Sequence, residues 1–450
     1  MIFLLIGVLI LLFFISYLFN KKDFFAPMTM LCLVYLFCVV FSLTNYEIWD
    51  LKSYSQKTVF LITACIGTFV IIGTLTRQML TLSYNEHNFI RCSSHKQKEC
   101  NNVIEPNILY LLLSVFLGII TIALCIYFVF KFGGSGDWAT ILSNYKIASY
   151  SGTASIPSYL DLLIKVLTIL CYIYLYIFIY NVVATKKILK NLKYLIPVFL
   201  HIVRSICMGN RYNFICVVAA FFYCLYILYQ NKYNWRKPLK AKFLIYGAIT
   251  VLCVYLFFTI FKRAVGRTDN IDPLYYVSIY TSGSVKLLDE YLKNPIGPST
   301  IFGKETFSGM NSFLSSRGIG TYYDINLEMR LVNNYNLGNV YGAIRRYYQD
   351  FGYIGCLILV GFSSLVWNLF YYRLTLRKHT KYNDLLFVIF MYMINALIIF
   401  PIDDKFYTIF ATPTFIEMLL IAFVLWFFII SNSKKRIKCN QPLSVVRDSL

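Results

Sequence analysis

The chain has 450 residues, 58% of them hydrophobic and 14% charged, with 42 Lys and Arg against 21 Asp and Glu for a formal net charge of +21. Ordinary globular proteins carry about 25% charged residues, so a soluble fold of this length lacks the charge to cover its exterior, and lipid is the solvent for much of the chain. The basic excess lies in short clusters between apolar runs, which points to basic loops against an anionic leaflet and argues against nucleic acid as a partner.

Apolar runs of about 18 or more residues mark membrane helices. They recur about eleven times, near residues 2–19, 24–45, 58–76, 107–130, 158–184, 194–208, 212–230, 241–261, 353–372, 385–402 and 411–431. The first run has no charged leader and no small-residue cleavage site, and it runs into Lys21-Lys22, so it reads as a retained helix. The loop after the third run holds His87, Cys92, His95 and Cys100. Their H-x4-C-x2-H-x4-C spacing is not a zinc pattern, and no metal site is expected. Most of the 13 cysteines sit inside apolar runs and none in 262–352, so a disulfide framework is not expected.

Lys and Arg collect at residues 20–23, 77–106, 185–193, 231–240, 373–384 and after 431, whereas the segments near 46–57 and 403–410 carry only Lys52, Lys57 and Lys405. The positive-inside rule then puts the basic segments and the C-terminus in the cytoplasm and residues 262–352 outside. That outer segment is too long for a connector and too rich in Tyr, Phe, Leu and Ile for disorder. Helical spacing predicts an amphipathic helix over 276–292, broken by Asn294-Pro295 and Gly297-Pro298. A second is expected over 306–315 and a third over 339–350, running into the ninth span. The expected fold is all-α and polytopic. Transmembrane helices 1–8 occupy residues 1–261, a helical outer cap 262–352, transmembrane helices 9–11 residues 353–431, and a basic tail 432–450.

Ionisable groups inside spans default to functional candidates. His201 and Arg204 lie one turn apart on the sixth run. Arg211 follows a break at Gly209-Asn210, which frees it to face a cavity at the outer surface. A guanidinium suits phosphate oxygens, while the structural alternatives are a buried histidine and arginines that snorkel to headgroups. Lys165 and Glu417 read as a polar contact between helices or part of a proton path. The cap adds Lys262, Arg263, Arg267, Arg317, Arg330, Arg345 and Arg346. In GNVYGAIRRYYQDFG (338–352), Tyr341, Arg345 and Tyr348 share a helical face, and Arg346 and Asp350 stand at i,i+4. Aromatic faces beside arginine suit a glycosyl phosphate; the alternative is a structural ion pair with interfacial tyrosines. No Walker loop, H-E-x-x-H, H-x-E or G-x-S-x-G motif occurs.

Three stretches carry a resemblance. MGNRYNFICVVAAFF from Met208 resembles the "GxR then apolar helix" element of O-antigen and capsule repeat-unit polymerases. YVSIYTSGSVKLLDEYL with GPSTIFGKETFSGM resembles the start of their large outer loop, and NLGNVYGAIRRYYQDFGYIG resembles the element that closes it. The R-x10-G pattern of some members is absent. The neighbouring O-antigen ligases place a histidine in the large loop, and this loop has none.

The resemblance implies a metal-independent membrane glycosyltransferase without cofactor, with the architecture of lipid-linked-sugar transferases, in the bacterial inner membrane with its large loop periplasmic. It would transfer a glycan from a polyprenyl-diphosphate donor to a second lipid-linked repeat, alongside the flippase and chain-length regulator of the same pathway. It implies catalytic roles for Arg211, Arg345, Arg346 and Asp350, and substrate contacts from Arg204, His201, Arg317, Arg330, Tyr341 and Tyr348. Arginines would stabilise charge developing on the diphosphate, and Asp350, Glu328 or Asp324 would act as base. A ligase-like transferase and a flippase or transporter are the alternatives.

Overall fold

A computed structural model describes residues 1–89, 102–233, 235, 256, 272–320, 327–376, 382–431 and 433–436. The expected span at 241–261, the cations Lys262, Arg263 and Arg267, Asp324 and the side chains of the His87–Cys100 loop lie outside the described residues.

The chain is an all-α membrane protein. Helices α1 (Ile2–Phe19), α2 (Pro27–Ser42), α3 (Gln56–Phe89) and α4 (Ile108–Gly133) are followed by α5 (Trp138–Tyr150) and α6 (Ser158–Thr185). Next come a single turn α7 (Ile188–Asn191), then α8 (Ile196–Cys207) and α9 (Tyr212–Lys232). Beyond these lie α10 (Pro273–Lys293), α11 (Ser308–Ser316), α12 (Ala343–Leu376), α13 (Asn383–Met393), α14 (Asn395–Ile398) and α15 (Pro413–Ile429). Among the described residues seven helices are long and apolar enough to cross a bilayer, namely α1–α4, α6, α9 and α12; the stretches 383–398 and 413–429 are shorter apolar helices.

Local chemistry sets the boundaries. Proline stands at the start of α2, α10 and α15, where its missing N–H costs nothing. Side chains of Asn107, Asp137, Asp272 and Thr412 cap α4, α5, α10 and α15 by accepting backbone N–H groups. The sixth apolar run folds as α8, only 12 residues. At about 1.5 Å per residue that helix reaches about 18 Å, short of a hydrocarbon core of about 30 Å. Helix α5 had no counterpart in the apolar pattern, because it is amphipathic and shorter than a span.

The helices segregate two ends. At one end Arg77 donates to the Phe19 carbonyl, Lys232 to the carbonyls of Val183 and Ala184, and Asn231 to that of Leu374. There Asn102–Ile104 (β1) also pairs antiparallel with Lys434–Arg436 (β2), and Asn181 bonds both backbone groups of Ile104. Lys21-Lys22, the lysines of 186–193, Lys232, Arg373 and Lys434–Arg436 lie at this end or on the links between its helices. At the opposite end Asn45 meets Ser278, Asn333 meets the carbonyl of Ile48, and Arg346 meets Asp403.

The cap docks on that second end through α10, which packs against α2 and α3. Val285, Leu287 and Leu288 are buried there, each burial worth about 1.5–3 kcal/mol. The buried face is also polar, with Ser278, Ser282, Lys286 and Asp289 fully enclosed. Asp289 accepts from the backbone N–H of Ser55 (2.9 Å) and the Thr58 hydroxyl (2.8 Å), and Lys293 pairs with it at 2.9 Å. Burial opposes its ionisation, but Lys293 and these donors outweigh burial and hold the carboxyl below its usual range.

Candidate functional site

The prolines at 295 and 298 end α10 and start an extended loop that doubles back over α12. Asp350 fixes that loop. Its Oδ2 accepts the backbone N–H of Glu305 (3.0 Å) and of Thr306 (2.7 Å). The i,i+4 pair expected between Arg346 and Asp350 does not form, since the carboxylate is turned to the loop and the guanidinium reaches Asp403 at 2.6 Å. Asp403 also holds Lys405 at 2.6 Å.

Arg345 is the anchor beneath this loop. It is 1% exposed, donates to Glu305 and reaches Glu328 at 3.5 Å, so one guanidinium ties two separate cap segments to α12. Its plane lies between two aromatic rings, 4.6 Å from the Tyr291 centroid and 4.3 Å from that of Tyr341, within cation–π range. The third cap helix begins at Ala343 rather than 339, and just before it the backbone at Gly342 passes too close to the Pro401 carbonyl for any Cβ. Gly352, at φ +64, breaks α12 where the cap ends and the span begins.

Between the loop and α12 lies an open cavity of about 690 Å³, lined by Ile296–Thr300, Lys304, Glu305, Ser308, Leu327, Glu328, Arg346, Gln349 and Asp350. Its size falls within the usual range for small-molecule sites, about 300–1,000 Å³. Two cations and three carboxylates face it, and Arg346 carries a buried Nε with no hydrogen-bond partner. Burial raises the Glu305 carboxyl above its usual range, with Arg345 pulling the other way.

The remaining candidates are placed as follows. Arg330 closes the end of α10, donating to the carbonyls of Glu290 and Asn294 at 2.6 Å each and pairing with Glu328 at 2.7 Å. Arg317 is exposed, 4.8 Å above the Phe313 ring. Tyr341 lies under Arg345 and donates to Glu328 (3.2 Å), and Tyr348 packs edge-on against Tyr291. Neither tyrosine, nor Arg317 or Arg330, lines the cavity.

Arg211 does follow the expected break. Gly209 takes φ +74, α8 stops at Cys207, and Arg211 is the cap residue of α9. It is 8% exposed, donates to the Tyr276 hydroxyl at 2.7 Å and lies over that ring at 5.7 Å. It is therefore held against the first turn of α10 and is not a wall of the cavity that Arg346 lines. His201 and Arg204 are buried together on α8, where Arg204 donates to His201 Nδ1 at 3.3 Å. Lys165 bridges α6 to α15 by pairing with Glu417 (2.5 Å), the interhelical contact expected of it, and also pairs with Asp161 of its own helix (2.7 Å).

No family model, curated protein or solved structure matches the chain. Among the described residues no group of three or more His, Cys, Asp and Glu side chains is arranged to hold a metal ion.

Four polar groups of the site had escaped the sequence reading: Lys304, Glu305, Gln349 and Asp403. Lys304 and Glu305 sit in GPSTIFGKETFSGM, whose charged pair was the available signal. Asp403 stands in the acidic pair before Lys405, in a loop whose position over α12 only the fold reveals.

Proposed function

We propose that the protein is a membrane glycosyltransferase that polymerises lipid-linked oligosaccharide repeat units, taking a glycan from a polyprenyl-diphosphate donor and joining it to a second lipid-linked repeat. The observation that carries this reading is the cavity itself, an open polar chamber of about 690 Å³ in a cap seated on a bundle of membrane helices. Sugars need such a wet, hydrogen-bonding chamber, whereas the carrier's tail needs hydrocarbon, which the helices beneath the cap would offer.

In this reading Arg346 and Lys304 neutralise charge developing on the diphosphate leaving group. Arg345 acts through Glu305 and Glu328, which it holds in the wall. Arg211 contributes from the same end of the bundle with Tyr276 orienting it. The fold that accompanies this function is a multi-pass bundle in the inner membrane with the architecture of lipid-linked-sugar transferases. Its basic end lies in the cytoplasm, its cap in the periplasm, and the flippase and chain-length regulator of the pathway are its neighbours. The common placement of the basic clusters supports that orientation, and the absence of histidine from 262–352 favours polymerase over ligase.

The test is glycan length after deletion of the gene. Single repeat units on the acceptor are expected; loss of all transfer would indicate a ligase, and unchanged polymer would refute the reading. Arg346→Ala restored at matched protein level should shorten the polymer, and Arg346→Lys should restore it only in part, since a point charge lacks the guanidinium fork.

A further inference from the structure

We infer that Glu305 is the general base of the site, the carboxylate that takes the proton from the acceptor sugar's hydroxyl. The inference rests on the glycosyltransferase reading and assigns a residue to a step which the sequence had given to Asp350, Glu328 or Asp324.

Three carboxylates line the cavity, and they differ in how far the protein's own donors already occupy them, which decides which one can receive an acceptor hydroxyl. Glu328 is the most heavily engaged. Its Oε1 accepts from Arg330 Nε at 2.7 Å and Tyr341 at 3.2 Å, with Arg345 at 3.5 Å. Asp350 is bound to the protein's own backbone, accepting two N–H groups that shape the loop. That oxygen is committed to holding the loop at Glu305 and Thr306. Among the described residues Glu305 has a single donor, Arg345, on Oε2, its other oxygen accepts none, and its side chain remains 11% exposed at the cavity.

The surroundings of Glu305 favour proton uptake without loss of position. Arg345 fixes it from behind, while Asp350 holds its backbone and adds negative charge nearby. Arg346 and Lys304 supply the cations on the cavity side, and Glu328 shares the Arg345 guanidinium. Burial raises its basicity, which a base working near neutral pH requires.

The step balances with no further reactant. The acceptor hydroxyl oxygen bonds to the donor's anomeric carbon, and the bond from that carbon to the diphosphate oxygen breaks. The electron pair leaves with the diphosphate, beside Arg346 and Lys304. The hydroxyl proton passes to Glu305 and from there to water.

The experiment uses membranes holding the full chain with lipid-linked repeats as substrate, and measures rate of chain extension against pH. Wild-type rate should rise with pH through the titration of one carboxyl. Glu305→Gln keeps an oxygen for Arg345 and should lower the rate by about 10²–10⁴-fold, the range for a lost general base, and abolish that rise. Glu328→Gln should retain the pH profile. Glu305→Ala should regain activity with added formate, a small external base; a structural role would give no such rescue. Normal extension by Glu305→Gln, or a folded Glu305→Ala that formate does not rescue, would overturn the inference. So would both variants losing protection of the cap amides, since that would make Glu305 structural. Polymer production that persists without the gene would instead defeat the functional reading itself.

Discussion

Replacing Arg345 and its neighbour Arg346 separately should give opposite results, although both are cap arginines adjacent in sequence. Arg345→Ala removes a fully buried guanidinium side chain that holds Glu305 and Glu328. Breaking a buried pair by deleting one partner costs about 3–5 kcal/mol, because the other charge stays behind without compensation. Glu328 keeps Arg330 and Tyr341 after the change, and Glu305 reaches the cavity at its edge, so the lower figure applies. About 3 kcal/mol corresponds to a local opening equilibrium shifted by roughly 100-fold, at 1.4 kcal/mol per factor of ten. The amides to watch are those of Glu305 and Thr306, whose N–H groups bond Asp350 and are released only when the loop lifts from α12. Hydrogen exchange of these amides in detergent-solubilised protein should accelerate by about 100-fold in Arg345→Ala. In Arg346→Ala it should change little, because the Arg346 partner is Asp403 and not the loop. Equal acceleration in both variants, or none in Arg345→Ala, would refute the division between an anchoring and a cavity-facing arginine.

Two further predictions concern how the cap is seated. Asp289→Asn should destabilise the docked cap by about 3 kcal/mol, since it removes a carboxylate bonded to Ser55, Thr58 and Lys293 at the α3 contact. The folded Asp289 carboxyl lies below its unfolded value, so its contribution is present above about pH 3.9 and is lost as pH falls through the folded value. Thermal melts should therefore show a smaller acid-side loss of stability in Asp289→Asn than in the wild type, and an unchanged acid limb would count against the contact. Gly342→Ala should cost about 1–3 kcal/mol, because a Cβ would come within 2.3 Å of the Pro401 carbonyl oxygen. A melting temperature equal to that of the wild type would show that the two backbones do not meet.

Much of the fold was legible because lipid imposes a coarse code. Runs of apolar residues gave α1–α4, α6, α9 and α12, since satisfying the backbone in hydrocarbon leaves helix as the solution; most ends are displaced by a few residues, but α3 runs on to Phe89 and α12 reaches back to Ala343 in the cap. The amphipathic spacing in 276–292 gave α10 and its buried stripe. What the pattern hid was length and register where polar and apolar residues mix. The sixth run read as a span but stops after 12 residues, because Met208-Gly209 turns the chain at φ +74. Helix α5 was missed because a short amphipathic segment at the membrane edge has neither the length nor the hydropathy of a crossing.

The site was legible by residue type and not by partner. Arginine, acid and tyrosine in GNVYGAIRRYYQDFG announced a charged surface, and helical geometry suggested pairing within the segment itself. The structure gives every one of those charges a partner from elsewhere: Arg345 takes Glu305 and Glu328, Arg346 takes Asp403, and Asp350 takes the backbone at 305–306. An i,i+4 pair on an exposed helix is worth only about 0.3–0.5 kcal/mol, so a helix that packs under a cap loses little by giving it up. Contacts across 40 to 57 residues replace it. The same physics explains why one arginine of an adjacent pair ends beneath the loop and the other at the cavity: successive residues on a helix differ by about 100° in direction. Burying the first satisfies two carboxylates and fixes the wall, and that leaves the second, tethered by Asp403 at the rim, as the cation that a phosphate entering the cavity would meet.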